Sequence, residues 1–475
     1  MSGKGQGELD DVGAVVVGGI DGESRRQLVT AATPTYLSSP VWSPDGRWIA
    51  YVRVSAGTDL TYSGVIEVRP AAGGPAKTLV SPLTLPPKSS PCNRLAESCL
   101  SWSPDWRLVF SVSQAVTLPG VQVVYSFWEV PVEPRTGEAA AKPERLVQWA
   151  EPVQASFLSA ATNPTVTADG RRLSFLKNYS WSDVYLGELT PDGRRMKPAR
   201  RFTLDNRGSY PNSWAPDSRA IIFQSSKGGK ANEIFRQDLN QGVAEAIAQS
   251  SGKDCGEAVL TPDGSWILYR QSTVTLPGAP SFPSQLVRRP AAGGSPEIVF
   301  EEPGGMWWDY RCPPRPGSSC VLSRQEGKDL VFYALDPTRG RGEQLGKIEI
   351  SPTRAAEWNI APEGSRLALV GGFDGYQGRI EVLTFRDHAW HQVFVERGWS
   401  DLQSIAWTAD GKGFFVTCAE PDFELLHVTA AGKVSPLLRN AGLQWMYNPV
   451  PSPDGKYLAF MADTRDVNVW LLENF

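Results

Sequence analysis

Histidine is almost missing from this chain: His388, His391 and His427 are the only three in 475 residues. His388-Ala389-Trp390-His391 falls in a hairpin loop, where i and i+3 side chains do not converge as they do on a helix, so the pair reads as exposed loop and not as a zinc site. No apolar run approaches the ~18 residues of a membrane span, and residues 1–11 are glycine-rich and acidic where a signal peptide would be basic and then apolar. No Lys/Arg block occurs. Its nearest equivalent, Arg194-Arg195 to Arg200-Arg201, flanks a Pro-Asp-Gly turn, and the formal net charge is -4. No nucleic-acid partner and no membrane insertion are therefore expected. A Gly-x-Ser-x-Gly elbow, a Walker loop, a dinucleotide fingerprint and an EF-hand pattern are all lacking, which removes the common serine-hydrolase, nucleotide and calcium chemistries. No cofactor and no resident metal are expected.

Cysteine is sparse as well, six in all. Cys92 and Cys99 flank a short loop and Cys312 and Cys320 flank a hairpin turn, so two local disulfides, Cys92–Cys99 and Cys312–Cys320, are open to the chain. Reduced thiols suit a sequence without a signal peptide, whereas two such pairs suit an oxidising compartment, and both readings stand. Cys255 and Cys418 lie alone in strand-like runs and read as inert buried thiols.

What the sequence has in abundance is one hairpin. Val41-Trp42-Ser43-Pro44-Asp45-Gly46-Arg47-Trp48-Ile49 is an apolar run entering a Pro-Asp-Gly turn and an apolar run leaving it. The turn acid recurs as Asp45, Asp105, Asp169, Asp217, Asp263, Glu363, Asp410 and Asp454. Proline presets φ, aspartate bonds the amides ahead of it and glycine takes a positive φ, so the marker is read as structural. Three residues before the acid stand Trp42, Trp102, Trp214 and Trp407, a position expected to pack between neighbouring sheets.

Marker spacings fit the ~40 to 50 residues of a propeller blade, with longer early intervals that carry insertions. The 100-residue interval between Asp263 and Glu363 holds a degenerate hairpin, Met306 to Ser323, in which Cys and Trp replace the pattern. The fold class expected is all-β: a leader over 1–11, then a single closed β-propeller of four-stranded blades over 12–475. Nine repeat units are counted, at 31–82, 83–150, 151–205, 206–252, 253–303, 304–351, 352–398, 399–440 and 441–475 joined by 12–30, with eight blades as the alternative. Three strands follow Asp454 and two orphan strands follow Asp11, so the two ends are expected to pair in one blade and close the ring.

Six residues before each acid the chain is polar at Ser39, Asn163, Glu257, Glu357, Ser404 and Asn448. The first strand of a blade lines the central channel, so these six are the candidate ligand-binding residues at its mouth. No catalytic residue is assigned.

Strand, Ser-Pro-Asp-Gly, strand, repeated through the chain, resembles the WD40-like repeat of TolB-type propellers. Pro451 to Ala459 followed by Asp466 to Phe475, together with the Cys312 to Cys320 hairpin, resembles the C-terminal sensor propellers of bacterial serine/threonine kinases and winged-helix regulators. That resemblance implies a periplasmic or extracytoplasmic domain; the chain as written, if complete, implies a cytoplasmic one. The function expected is a non-enzymatic, monomeric propeller that binds a protein or small ligand on one face, as a sensor or scaffold module of a bacterial signalling or envelope system. The alternative is a propeller hydrolase or lyase with a metal at the channel mouth, built on Glu257, Glu357, Asn163 and Asn448.

Overall fold

A computed structural model of the chain describes residues 12–473 except 19–24, 33–34, 57–61, 87–88, 92–97, 119–120, 153–159, 205–207, 227–230, 249–252, 274–283, 303–307, 352–355, 374–377, 440–442 and 444. It is all-β, and strands group in chain order into antiparallel four-stranded sheets. The chain divides into two compact units, one of residues 1–179, 276–279 and 466–475, the other of 180–275 and 280–465.

The larger unit holds five complete blades. The first is Ser209–Trp214, Ala220–Ser225, Glu233–Asp238 and Glu245–Ala248. The second is Lys253–Leu260, Trp266–Thr273, Ser284–Pro290 and Glu297–Glu302; the third is Trp308–Arg311, Cys320–Glu326, Asp329–Asp336 and Gly340–Glu349. The fourth runs Ala356–Ile360, Arg366–Gly371, Arg379–Thr384 and Ala389–Phe394, and the fifth Ser400–Trp407, Gly413–Glu420, Glu424–Thr429 and Val434–Arg439. A composite sheet joins Met446–Pro451 and the start of Tyr457–Glu473 to the end of Arg172–Glu188, with Arg200–Arg201 at its edge.

Bonds between neighbouring sheets run mostly from first strand to first strand, and one reaches Ser323 on a second strand. Ser213 Oγ donates to Ala258 O (2.9 Å), Tyr310 OH to Glu257 O (2.6 Å), Trp358 Nε1 to Ser323 Oγ (2.9 Å) and Trp407 Nε1 to Asn359 O (3.2 Å). Asn448 N donates to Ser404 Oγ (3.1 Å), and Trp214 Nε1 to Val450 O (2.9 Å), which returns to the first blade. The core lies between the sheets. Second strands such as Ala220–Ser225 and Gly413–Glu420 are buried along nearly their whole length, not on alternate residues as half-buried strands would be, because a sheet packs on each of their faces.

In the smaller unit Val12–Gly18 and Arg25–Ala32 form a two-stranded sheet of their own, followed by a blade of Thr35–Trp42, Trp48–Ala56, Tyr62–Pro70 and Lys77–Val80. A five-stranded sheet around Arg107–Leu118 comes next, and then Ala160–Val166 paired with the start of Arg172–Glu188. The expected blade of 441–475 with 12–30 does not form: the C-terminal strands sit in a sheet with Arg172–Glu188. That strand is 17 residues long, as is Tyr457–Glu473, long enough to offer a pairing edge the orphan hairpin does not match.

The marker turn works as a closed set of local bonds. Ser43 Oγ donates to Asp45 Oδ1 (2.8 Å) and accepts the Trp48 N–H (3.0 Å), while Asp45 Oδ1 accepts the Arg47 N–H (3.0 Å). Gly46, at φ +70°, directs its own N–H to Ser43 O (3.0 Å). The same bonds recur around Asp263, Asp410 and Asp454, and also around Asp192, in a turn joining later strands. Trp106 and Ser218, which stand where other copies have glycine, are held at φ +66° and +59°. Hydrogen bonds from Ser265 and Thr261 hold the Asp263 carboxyl below the usual carboxylate range. Replacing it, Asp263→Ala, is expected to lower unfolding free energy by about 1 kcal/mol in denaturant titrations.

In the third blade a disulfide between Cys312 and Cys320 closes the loop that replaces this turn. Peptide mass mapping without reductant is expected to recover that pair, and the double variant Cys312→Ser, Cys320→Ser to lose about 2–3 kcal/mol of stability. Cys99 is also disulfide-bonded, while Cys92 lies outside the described residues. Cys255 and Cys418 are free and buried, and burial pushes the Cys418 thiol up to about 12.

Candidate functional site

The six polar positions sit on the first strands of their sheets or, for Asn448, on Met446–Pro451, and most of them mark a break in the ladder. Register shifts fall next to Ser39, Asn163, Glu257, Ser404 and Asn448. Ser39, Asn163, Glu257 and Asn448 take φ of +53°, +52°, +58° and +53°, a left-handed conformation that residues other than glycine seldom adopt. At Asn163, Glu257 and Asn448 the N–H leaves its own ladder and is accepted by a neighbouring segment.

What receives those groups separates the six into two kinds. Ser39 Oγ accepts the Cys99 N–H (3.3 Å), Ser404 Oγ the Asn448 N–H (3.1 Å), and Ser98 O the Asn163 N–H (2.6 Å). Asn448 Nδ2 donates to Pro211 O (2.6 Å), and Ser404, only 3% exposed, also shares a hydrogen bond with Thr417 (2.7 Å). Ser39, Ser404 and Asn448 thus spend their polar side-chain atoms joining blades. Asn163 is exposed, in the smaller unit. Glu257 and Glu357 keep their carboxylates for other work.

Those two acids, from the second and fourth blades, belong to one network with Asp309, Tyr310 and Arg311 of the third blade, Arg270 of the second and Tyr447 of the composite sheet. Arg270 pairs with Glu257 and stacks over Trp308 at 4.9 Å from the ring centre. Arg311 pairs with Asp309, donates to Tyr310 O (2.9 Å) and stands over Trp358 at 5.6 Å. Tyr447 hydrogen-bonds Glu357. The Glu257 side chain retains 37% exposure beside its Arg270 partner.

Burial is the first cause of the shifts here, and charge is the second. Desolvation pushes the Glu357 carboxyl up to about 7; the Tyr447 hydrogen bond and Arg311 oppose the rise, and the nearby Asp309 and Glu257 charges add to it. Glu257 is raised by burial and by Asp309, against the pull of Arg270. Tyr310 and Tyr447 are raised by burial and then by Glu257 and Glu357 respectively, so both stay protonated at neutral pH. The guanidinium of Arg311 stays charged: burial disfavours its charge, but the surrounding carboxylates more than compensate.

Sequence position alone picked out Glu257 and Glu357 and missed Arg270, Asp309, Tyr310, Arg311 and Tyr447. Asp309 to Arg311 lie in the unit without a marker acid, so counting back from the turn could not reach them. The unusual Trp308-Asp309-Tyr310-Arg311 run is the signal that was available. Tyr447 directly precedes one of the counted positions.

No family model matches this chain. An uncharacterised protein of Agrobacterium fabrum is 22% identical over 179 residues, 36% of this chain and 58% of the relative, so the chain spans less than two thirds of that protein's length. Among solved structures, an oligogalacturonate lyase from Vibrio parahaemolyticus is 16% identical over 71% of this chain and 96% of its own, with a TM-score of 0.38. A nidogen/laminin complex is similar at 11% identity (60% and 98% coverage, TM-score 0.41), and a puromycin hydrolase at 12% (88% and 57%, TM-score 0.32).

The expected non-enzymatic sensor or scaffold module is corrected by these findings. The solved structures similar to this chain include proteins named as a lyase, a hydrolase and prolyl endopeptidases. The alternative, a propeller hydrolase or lyase, is the reading carried forward. Among the described residues no group of three or more His, Cys, Asp or Glu is spaced to hold a metal ion.

Proposed function

We propose that the larger unit is the catalytic propeller of a hydrolase or lyase whose proton carrier is Glu357. What supports this reading is the grouping of Glu357, Tyr447 and Arg311 from three different sheets, in which burial pushes the Glu357 carboxyl up to about 7. A group whose pKa matches the working pH both takes and returns a proton, which hydrolysis and elimination alike require. Tyr447 supplies a phenol that is protonated throughout the neutral range. Arg311, held by Asp309 and Trp358, needs no reorganisation to face negative charge developing on a substrate oxygen.

The sheet-to-sheet bonds support a closed ring of six blades in this unit, and the Ser-Pro-Asp-Gly grammar supports a TolB-type description of them. A single working copy is proposed, because the network is complete within one chain.

The test is a panel of chromogenic esters and glycosides and of uronate oligomers, assayed with wild type and Glu357→Gln. Turnover with an inflection near pH 7, and a kcat/KM at least ~100-fold lower in the variant, is the expected result. Equal turnover by the two proteins, or none on any class, would overturn the assignment.

A further inference from the structure

We infer that Gln224 and Tyr310 are positioning residues that hold Glu257 in its left-handed conformation and so keep its carboxylate within the network of Arg270, Asp309 and Glu357. Gln224 Oε1, on the second strand of the first blade, accepts the Glu257 N–H at 2.8 Å. The Tyr310 hydroxyl, on the first strand of the third blade, donates to Glu257 O at 2.6 Å. Both backbone polar groups of this residue, freed from the ladder by the register shift between Gly256 and Val259, are thus held by side chains from the two flanking blades.

A left-handed, non-glycine residue carries a conformational cost, and it persists only where its surroundings over-determine it. Here that role falls to Gln224 and Tyr310. Gly256 completes the clamp: a Cβ on it would lie 2.7 Å from Gln224 Oε1, so any side chain would drive the acceptor away. Asn212 Nδ2 also points at Gln224 Oε1 (3.4 Å) and helps to fix its orientation.

If Glu257 relaxed to an extended φ, its carboxylate would leave Arg270 and withdraw one of the negative charges that raise Glu357. The titratable and charged groups facing this point are Arg270 from the second blade, Asp309, Tyr310 and Arg311 from the third, Glu357 from the fourth and Tyr447 from the composite sheet. Gln224 and Tyr310 would then act on proton transfer without touching a substrate. This role rests on the proposed function of the site, but the clamp has a readout of its own.

The experiment compares wild type with Gln224→Met, Tyr310→Phe and Gly256→Ala. Hydrogen exchange of the peptide spanning 256–258 reports the clamp, and carboxyl ¹³C NMR titration reports Glu357. Exchange at least ~10-fold faster in the variants, with the Glu357 midpoint lower by roughly half a unit or more, is the expected outcome. Unchanged exchange in folded variants overturns the clamp. Faster exchange with an unmoved midpoint reduces it to a structural contact and overturns the positioning role. A wild-type Glu357 that titrates in the ordinary carboxylate range instead removes the proposed function, and the exchange data still judge the clamp.

Discussion

Between pH 4.5 and 7, wild-type protein is expected to lose about 3 kcal/mol of unfolding free energy that Glu357→Gln does not lose. The folded-state pKa of about 7 lies above the ordinary value of 4.5, so the folded protein holds a proton through this window that the unfolded chain has released. Stability therefore falls as pH rises through the window and levels off above 7. Glutamine preserves the shape and never ionises, so the variant should be the more stable protein at pH 8. Denaturant unfolding of both proteins from pH 4.5 to 8 measures the difference directly, and a gap that stays constant with pH would refute the assignment. Tyr447→Phe should move the Glu357 midpoint further up, because the phenol hydrogen bond favours the ionised carboxylate.

The tryptophans that precede the marker turn should differ sharply in what they contribute. Trp407→Ala is expected to cost about 3–5 kcal/mol. That indole is 3% exposed, donates to Asn359 O in the next blade (3.2 Å), packs on Phe414 at 4.6 Å between ring centres and carries Arg366 on its face at 4.5 Å. Trp42 occupies the same repeat position and is 51% exposed, so Trp42→Ala should stay within about 1 kcal/mol. Thermal and denaturant unfolding of the two variants decide the matter, and equal costs would contradict this assignment of burial.

That contrast shows how far repeat logic reaches. Position within the repeat places a tryptophan on the last residue of a first strand, and Trp214 and Trp407 are buried there as expected. Whether a neighbouring sheet covers the position depends on the packing of each unit, and Trp42 lies uncovered. The six polar positions behave likewise. Their place on first strands follows from counting back from the turn, but Ser39, Ser404 and Asn448 bond blades together while Glu257 and Glu357 join the network of Arg270, Asp309, Arg311 and Tyr447. Residue type already sets the two glutamates apart from the serines and the asparagine, and the partners that neighbouring blades supply decide what each side chain does.

The all-β class, the sheet-by-sheet grouping and the chemistry of the Pro-Asp-Gly turn were determined by sequence alone. They rest on forces acting over a few residues: the φ available to glycine and proline, the reach of an aspartate to the next amides, and the alternation of apolar residues along a strand. Partition into two units, the strands that complete the last sheet, and the meeting of Glu257, Asp309, Arg311, Glu357 and Tyr447 were decided by tertiary structure. Desolvation and Coulomb coupling depend on distance in space, and Glu257 and Glu357 lie 100 residues apart along the chain. The repeat places each acid on a first strand, and only the arrangement of the blades brings the charge of Glu257 near enough to raise Glu357.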